Sequence, residues 1–198
     1  MRNTEITLQT KRAFSKALKE LLRKKPLDKV TVKQLLTLTN RTRPTFYYHF
    51  EDIPDLVKWT VQDEIISLLQ KSNGYDHWDK DLYNIFKYFY NNPSLGRAFY
   101  DNLDIKQFNW VFREPQINVL LGYIDEIIKK EHLHVKAEDR KFIAQISTGG
   151  FTEIVLDWLG NGQKESPEQI RKEFCRTQEN IIVHSLRMAD KNRTLFSE

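Results

Sequence analysis

The residues from Thr42 to His49, Thr-Arg-Pro-Thr-Phe-Tyr-Tyr-His, put a guanidinium, four hydroxyls and an imidazole on one short segment. Such groups suit hydrogen bonding to duplex nucleic acid. An Arg fork can meet a guanine edge in bidentate fashion, while hydroxyl and imidazole groups can meet phosphate oxygens. With Phe50 the segment also carries five large rings, more than the solvated surface helix of an ordinary bundle needs.

Two short helices must hold these groups. Thr31-Val32-Lys33-Gln34 is a capping box that starts a helix at Val32, with Val30 placed to staple onto Leu35. Leu35, Leu36 and Leu38 give its apolar side, and the pattern breaks at Thr39-Asn40, where Asn tolerates a left-handed turn. Thr42 then takes an N-cap and Pro44 falls in the first turn, where its missing N–H leaves no intrahelical bond unmade. The spacing predicts a second helix from about Arg43 to His49, roughly two turns long, with Phe46 and Phe50 on its apolar side. The pair reads as a helix-turn-helix whose second helix lies in the major groove of DNA.

Lys33, the run Thr42 to Phe50 and the following Asp52-Ile53-Pro54-Asp55-Leu56 resemble the DNA-binding domain of the TetR (tetracycline repressor) family of transcriptional regulators, over roughly Glu5 to Trp59. The resemblance implies an all-α homodimer: an N-terminal three-helix helix-turn-helix domain and a larger helical C-terminal domain for ligand binding and dimerisation. It implies phosphate contacts from Thr31, Tyr47 and His49, and base-edge contacts from Lys33, Arg43, Pro44, Thr45 and Tyr48; Thr42, at the N-cap, completes the DNA-binding set. The chain departs from the family at Asn40, often Gly there, and at Ile53, often Lys.

Composition agrees with a polyanion-binding head on a different body. Residues 1–50 hold 12 Lys or Arg against 3 Asp or Glu, a net +9; residues 51–198 hold 19 against 24, a net −5. Cys175 is the single cysteine, so no intrachain disulfide can form and a reducing compartment is expected. The first residues lack the apolar core of a signal peptide, and no run of about 18 apolar residues occurs. These features predict a cytoplasmic protein without a membrane partner.

In chain order, Met1 to Thr4 reads as a short polar arm whose Arg2 could reach a groove. Phe14, Ala17, Leu18, Leu21 and Leu22 form the stripe of an amphipathic helix from Glu5 to Lys25, stopped by Pro26. A domain boundary is expected at 51/52. Asp52 then caps a helix running to about Ser72, one rod that could couple head and body. Half of the 24 Phe, Trp and Tyr residues fall between Tyr75 and Phe112. They either line a pocket for a planar or amphipathic effector, with Tyr90, Phe99, Phe108 and Trp110 as its residues, or form a plain aromatic core. Helices are expected near 79–92, 94–103, 105–112 and 115–131.

Ala137 to Leu159 and Pro167 to about Asp190 read as two long helices, the second with the capping box Ser166 to Gln169. The stripes Ile143, Ile146, Gly150, Ile154, Trp158 and Ile170, Phe174, Ile181, Leu186 suit pairing with a second copy, and the resemblance implies a four-helix bundle between protomers through helices near 137–160 and 167–190. Gly149-Gly150-Phe151 to Trp158, followed by Ser166-Pro167, also loosely resembles a branch that includes regulators of dihydroxyacetone kinase operons.

Enzyme signatures are lacking. There is no Gly-rich phosphate loop, since all seven glycines lie at Gly74 or later. The pair His132 and His134 is spaced i, i+2, which on a helix faces opposite ways, Glu153 and Asp157 have no partner nucleophile, and Cys175 reads as a small buried hydrophobe. No catalytic residue, metal or cofactor is expected. The sequence predicts a regulator, a repressor by expectation, that binds a pseudo-palindromic DNA operator as a homodimer under control of a small-molecule effector. The alternative is a co-regulator whose C-terminal domain docks a protein partner in place of the small ligand.

Overall fold

Local capping chemistry fixes the ends of the first elements. In a computed structural model describing residues 2–69, 78–102 and 105–195, α1 spans Arg2–Leu22, α2 Val32–Thr39, α3 Arg43–His49 and α4 Ile53–Leu69. Thr31 Oγ1 accepts from Gln34 N (3.4 Å) while Thr31 N donates to Gln34 Oε1 (3.0 Å), the reciprocal box expected from the sequence. Asn40 ends α2 at φ 50°, in the left-handed region. Asp52 caps α4 by accepting from Asp55 N at 2.7 Å. The expected polar arm is absent: from Arg2 onward the chain is already the first turn of α1.

The remaining helices are α5 Trp78–Tyr90, α6 Pro93–Asp101, α7 Ile105–Glu131, α8 Ala137–Gly160 and α9 Pro167–Leu195. The described residues contain no strand. Where two helices were expected near 105–112 and 115–131, one continuous helix runs through Pro115. An interior proline removes a hydrogen bond and ordinarily costs about 3 kcal/mol. Ile124 and Ile127, with Ile117, Leu120 and Leu121 against the same cluster, tie the segment after the proline to α8 and α9.

The fold forms two compact units, Met1–Ser67 with Asn91–Leu103, and Leu68–Tyr90 with Asp104–Glu198. This division differs from a boundary at 51/52, because most of α4 and all of α6 belong with the N-terminal helices, where α6 packs on α1. Phe14, Leu18, Leu35, Phe46, Leu56 and Val57 are fully buried in the first unit. Phe14 meets Phe46 edge-to-face at 5.4 Å between centroids and Phe50 at 6.1 Å, and Phe50 meets Trp59 at 5.9 Å. Arg12 grips Asp63 through two bonds (2.9 and 3.1 Å), and Lys19 pairs with Glu64, so α1 and α4 are also joined by charge.

In the second unit, Phe86 packs edge-to-face on Trp158 (5.3 Å) and Phe151 (6.0 Å), and Phe151 on Phe174 (5.3 Å). Trp158 Nε1 donates to Glu165 O at 3.1 Å, pinning the α8–α9 turn, and Ser166 with Gln169 forms the expected capping box. The stripes read as one outward face divide in two. Ile143, Trp158, Ile170, Phe174 and Leu186 are buried within their own chain, whereas Ile146, Ile154 and Ile181 are exposed, together with Phe142 and Met188. Gly150 serves the intrachain contact as well: a Cβ there would lie 3.3 Å from Gln178 Nε2 of α9. Cys175 is half-buried instead of fully enclosed, and burial pushes its thiol up to about 11.

Phe46→Ala should lower the unfolding free energy by about 3–5 kcal/mol, through lost transfer energy, the residual cavity and the lost ring contact. Urea denaturation followed by tryptophan fluorescence measures it, and a loss under about 1 kcal/mol would show that α3 does not depend on this ring.

Candidate nucleic-acid interface

A seven-residue helix has too few internal bonds to persist alone, so its shape comes from one buried face. Phe46 is fully buried and Phe50 nearly so, while Arg43, Pro44, Tyr47 and Tyr48 stay exposed. Tyr48 is 81% exposed, the largest figure among the exposed large hydrophobic side chains described, and Tyr47 is 48% exposed. Two adjacent large rings left in water make this face a candidate contact surface.

The polar groups on this face are partly organised in advance. Arg43 Nη2 donates to Tyr47 Oη at 3.4 Å, with the guanidinium 5.5 Å from the Tyr47 ring centre. Thr42, the N-cap residue, makes no side-chain cap; its hydroxyl pairs instead with that of Thr45 at 2.8 Å. Thr31 and Lys33 are exposed at the start of α2, and Thr31 uses its hydroxyl as an acceptor in the capping box, leaving the hydroxyl proton to donate outward. No Asp or Glu occurs between Asp28 and Glu51, so the cations of α2 and α3 have no acidic residue beside them along the chain. His49 is half-buried beside Tyr48 and Phe50 (4.9 and 6.3 Å between rings). Burial first, then the charge of Lys11, holds its imidazole below the ordinary value.

All nine residues expected to meet DNA therefore lie on α2, α3 or the caps that start them, and none is fully buried. Two cations escaped the sequence reading. Arg41 is exposed in the turn between α2 and α3, its N–H bonded to Leu36 O at 3.2 Å. Lys11 of α1 reaches the C-terminal end of α3, with Nζ 5.1 Å from the Phe50 ring centre and 4.6 Å from that of Trp59. The residues expected to line an effector pocket fare differently. Tyr90 is 47% exposed in the second unit, Phe99 is buried in the first, and Phe108 and Trp110 lie outside the residues whose side chains are described.

A family model for a transcriptional regulator C-terminal region of the TetR type matches residues 76–180, more than half of the chain. The chain belongs to the TetR family of transcriptional regulators. This TetR-family regulator is similar to the HTH-type dhaKLM operon transcriptional activator DhaS of Lactococcus lactis subsp. lactis (strain IL1403), 22% identical over 172 residues that cover 85% of this chain and 90% of the relative. Its fold matches that of the dihydroxyacetone kinase operon activator DhaS with a TM-score of 0.68 and 19% identity, covering 91% of this chain and 98% of the other. A TetR transcriptional regulator from Rhodococcus sp. RHA1 matches with a TM-score of 0.67 and 14% identity over 89% and 98% of the two chains. Among the described residues no helix is long and apolar enough to cross a membrane, and no group of three or more His, Cys, Asp or Glu side chains could hold a metal ion.

The lowered His49 value has a consequence for the DNA-free regulator. Between the ordinary imidazole value of 6.5 and the lowered folded value, the unfolded chain binds the proton first, so stability falls as pH drops through that window. The thermal midpoint should decline from about pH 7.5 to 5.5, and His49→Gln should flatten part of that decline. An identical decline in the variant would remove His49 as its source.

Proposed function

We propose that this TetR-family regulator binds a pseudo-palindromic operator as a homodimer, with α3 in the major groove. The observation that carries the reading is the division of α3 into a buried ring face and an exposed face of Arg43, Tyr47 and Tyr48 on a head of net +9. Thr31, Tyr47 and His49 would hold backbone phosphates and set register, while Lys33, Arg43, Pro44, Thr45 and Tyr48 would meet base edges, with Thr42 orienting Thr45. The Tyr47 hydroxyl and ring restrain Arg43 before binding, which lowers the entropy lost when its fork meets a guanine.

The proposed dimer joins through α8 and α9. Phe142, Ile146 and Ile154 recur along α8 and Ile181 and Met188 along α9, exposed on helices whose other faces are already packed. Two-fold symmetry would then put half-sites about 34–36 Å apart. A small effector would regulate binding by favouring one spacing of the heads over another; equal affinity for both states would change nothing. Repression is expected from the sequence. The similarity to DhaS, named an operon activator, favours activation as a second reading.

Arg43→Ala should cost about 1–3 kcal/mol on the preferred operator and relax preference at one base pair, with little change on random DNA; competition binding on an operator library measures both. An equal loss on all sequences would overturn the base-reading role. Ile146→Asp with Ile181→Asp should turn a dimer into a monomer in sedimentation, whereas an unchanged dimer would place the interface elsewhere.

A further inference from the structure

The C-terminal end of α3 lacks a conventional anion site. A helix N-terminus can bind phosphate, but the start of α4 is occupied by its own carboxylates. Asp52 Oδ1 accepts from Asp55 N at 2.7 Å, Asp55 Oδ2 accepts from Glu51 N at 3.1 Å, Pro54 has no N–H to offer, and Glu51, Asp52 and Asp55 together make the surface negative. A phosphate beside His49 needs a cation from another element.

Lys11 is that cation. Its ammonium lies over the rings of Phe50 and Trp59 and close enough to His49 for its charge to bear on the imidazole. No ion pair to Lys11 is present among the described residues; Asp63, one of the two acids that attract it, is gripped by Arg12 in a two-bond fork, and Asp55 is engaged at the α4 cap. Burial outweighs both attractions and lowers the Lys11 value. The side chain is thus a partly desolvated cation, already restrained by two aromatic faces and without a bonded anion. Restraint reduces the rotamer entropy a ligand must remove, and desolvation strengthens its attraction to an anion.

We propose that Lys11 of α1, held over Phe50 and Trp59, closes with His49 on one backbone phosphate of bound DNA, which extends the nucleic-acid surface from α2 and α3 onto α1. The inference rests on the reading of α3 as the DNA-facing helix. It assigns Lys11 affinity and register and no role in base choice, because a phosphate carries no sequence information.

The test is the salt dependence of binding to a labelled random-sequence duplex, followed by fluorescence anisotropy between about 50 and 200 mM salt. Lys11→Met keeps the apolar stem against the rings and removes the charge. It should reduce the slope of log K against log salt by about 0.9 per chain, Lys11→Arg should restore it, and Lys130→Met, an exposed cation of the second unit, should leave it unchanged. In the unmodified protein, acetylation of Lys11 by an amine-reactive reagent, read by mass spectrometry, should slow when the duplex is added. This readout does not depend on the folding of a variant. A wild-type slope with an unchanged Lys11→Met slope, or equal Lys11 acetylation with and without DNA, overturns the Lys11 assignment alone. Absence of duplex binding by the wild type at low salt overturns the reading of α3, and the Lys11 assignment with it.

Discussion

Ring-on-ring packing of Phe14, Phe46, Phe50 and Trp59 is the contact on which the exposed face of α3 depends. A helix of seven residues makes few hydrogen bonds of its own, and Pro44 in its first turn favours only where it starts. Edge-to-face contacts to α1 and α4 supply what the helix lacks, and because Phe46 and Phe50 are buried they leave the opposite face no freedom to turn inward. The same contacts place the end of α3 against Lys11, so packing and charge placement have one cause.

Charge in the first unit is sorted by element. Arg12 and Lys19 of α1 are paired with Asp63 and Glu64 of α4, and Lys24 with Glu20 of its own helix. Exposed pairs of this kind contribute little stability, of order 0–1 kcal/mol, but they neutralise the α1 cations that face the acids of α4. Lys11 remains outside that arrangement. On α2 and α3 no acid is available to neutralise Lys33 or Arg43, and the field there stays positive. An unpaired basic surface is what a polyanion needs.

What the sequence disclosed was local. The Thr31 and Ser166 boxes, the left-handed Asn40, the Asp52 cap and the limits of α3 all depend on residues within four positions of one another, and each is present in the fold. The misreadings share the opposite property. Pro115 looks like a helix start, yet α7 runs through it, and the two apolar faces of α8 could not be separated without knowing which neighbours cover Ile143 and Trp158 but not Ile146. Lys11 belongs to no motif because the rings beneath it are 39 and 48 positions away in sequence.

The central claim is that the exposed face of α3 sits in the DNA major groove, with two copies of the chain on one site. Hydroxyl-radical footprinting of the purified protein on the DNA upstream of its own gene addresses it directly. Two bound copies should protect two patches related by two-fold symmetry, with centres about one helical turn (34–36 Å) apart on one side of the duplex. A single unsymmetric patch, or no protection at low ionic strength, would contradict it.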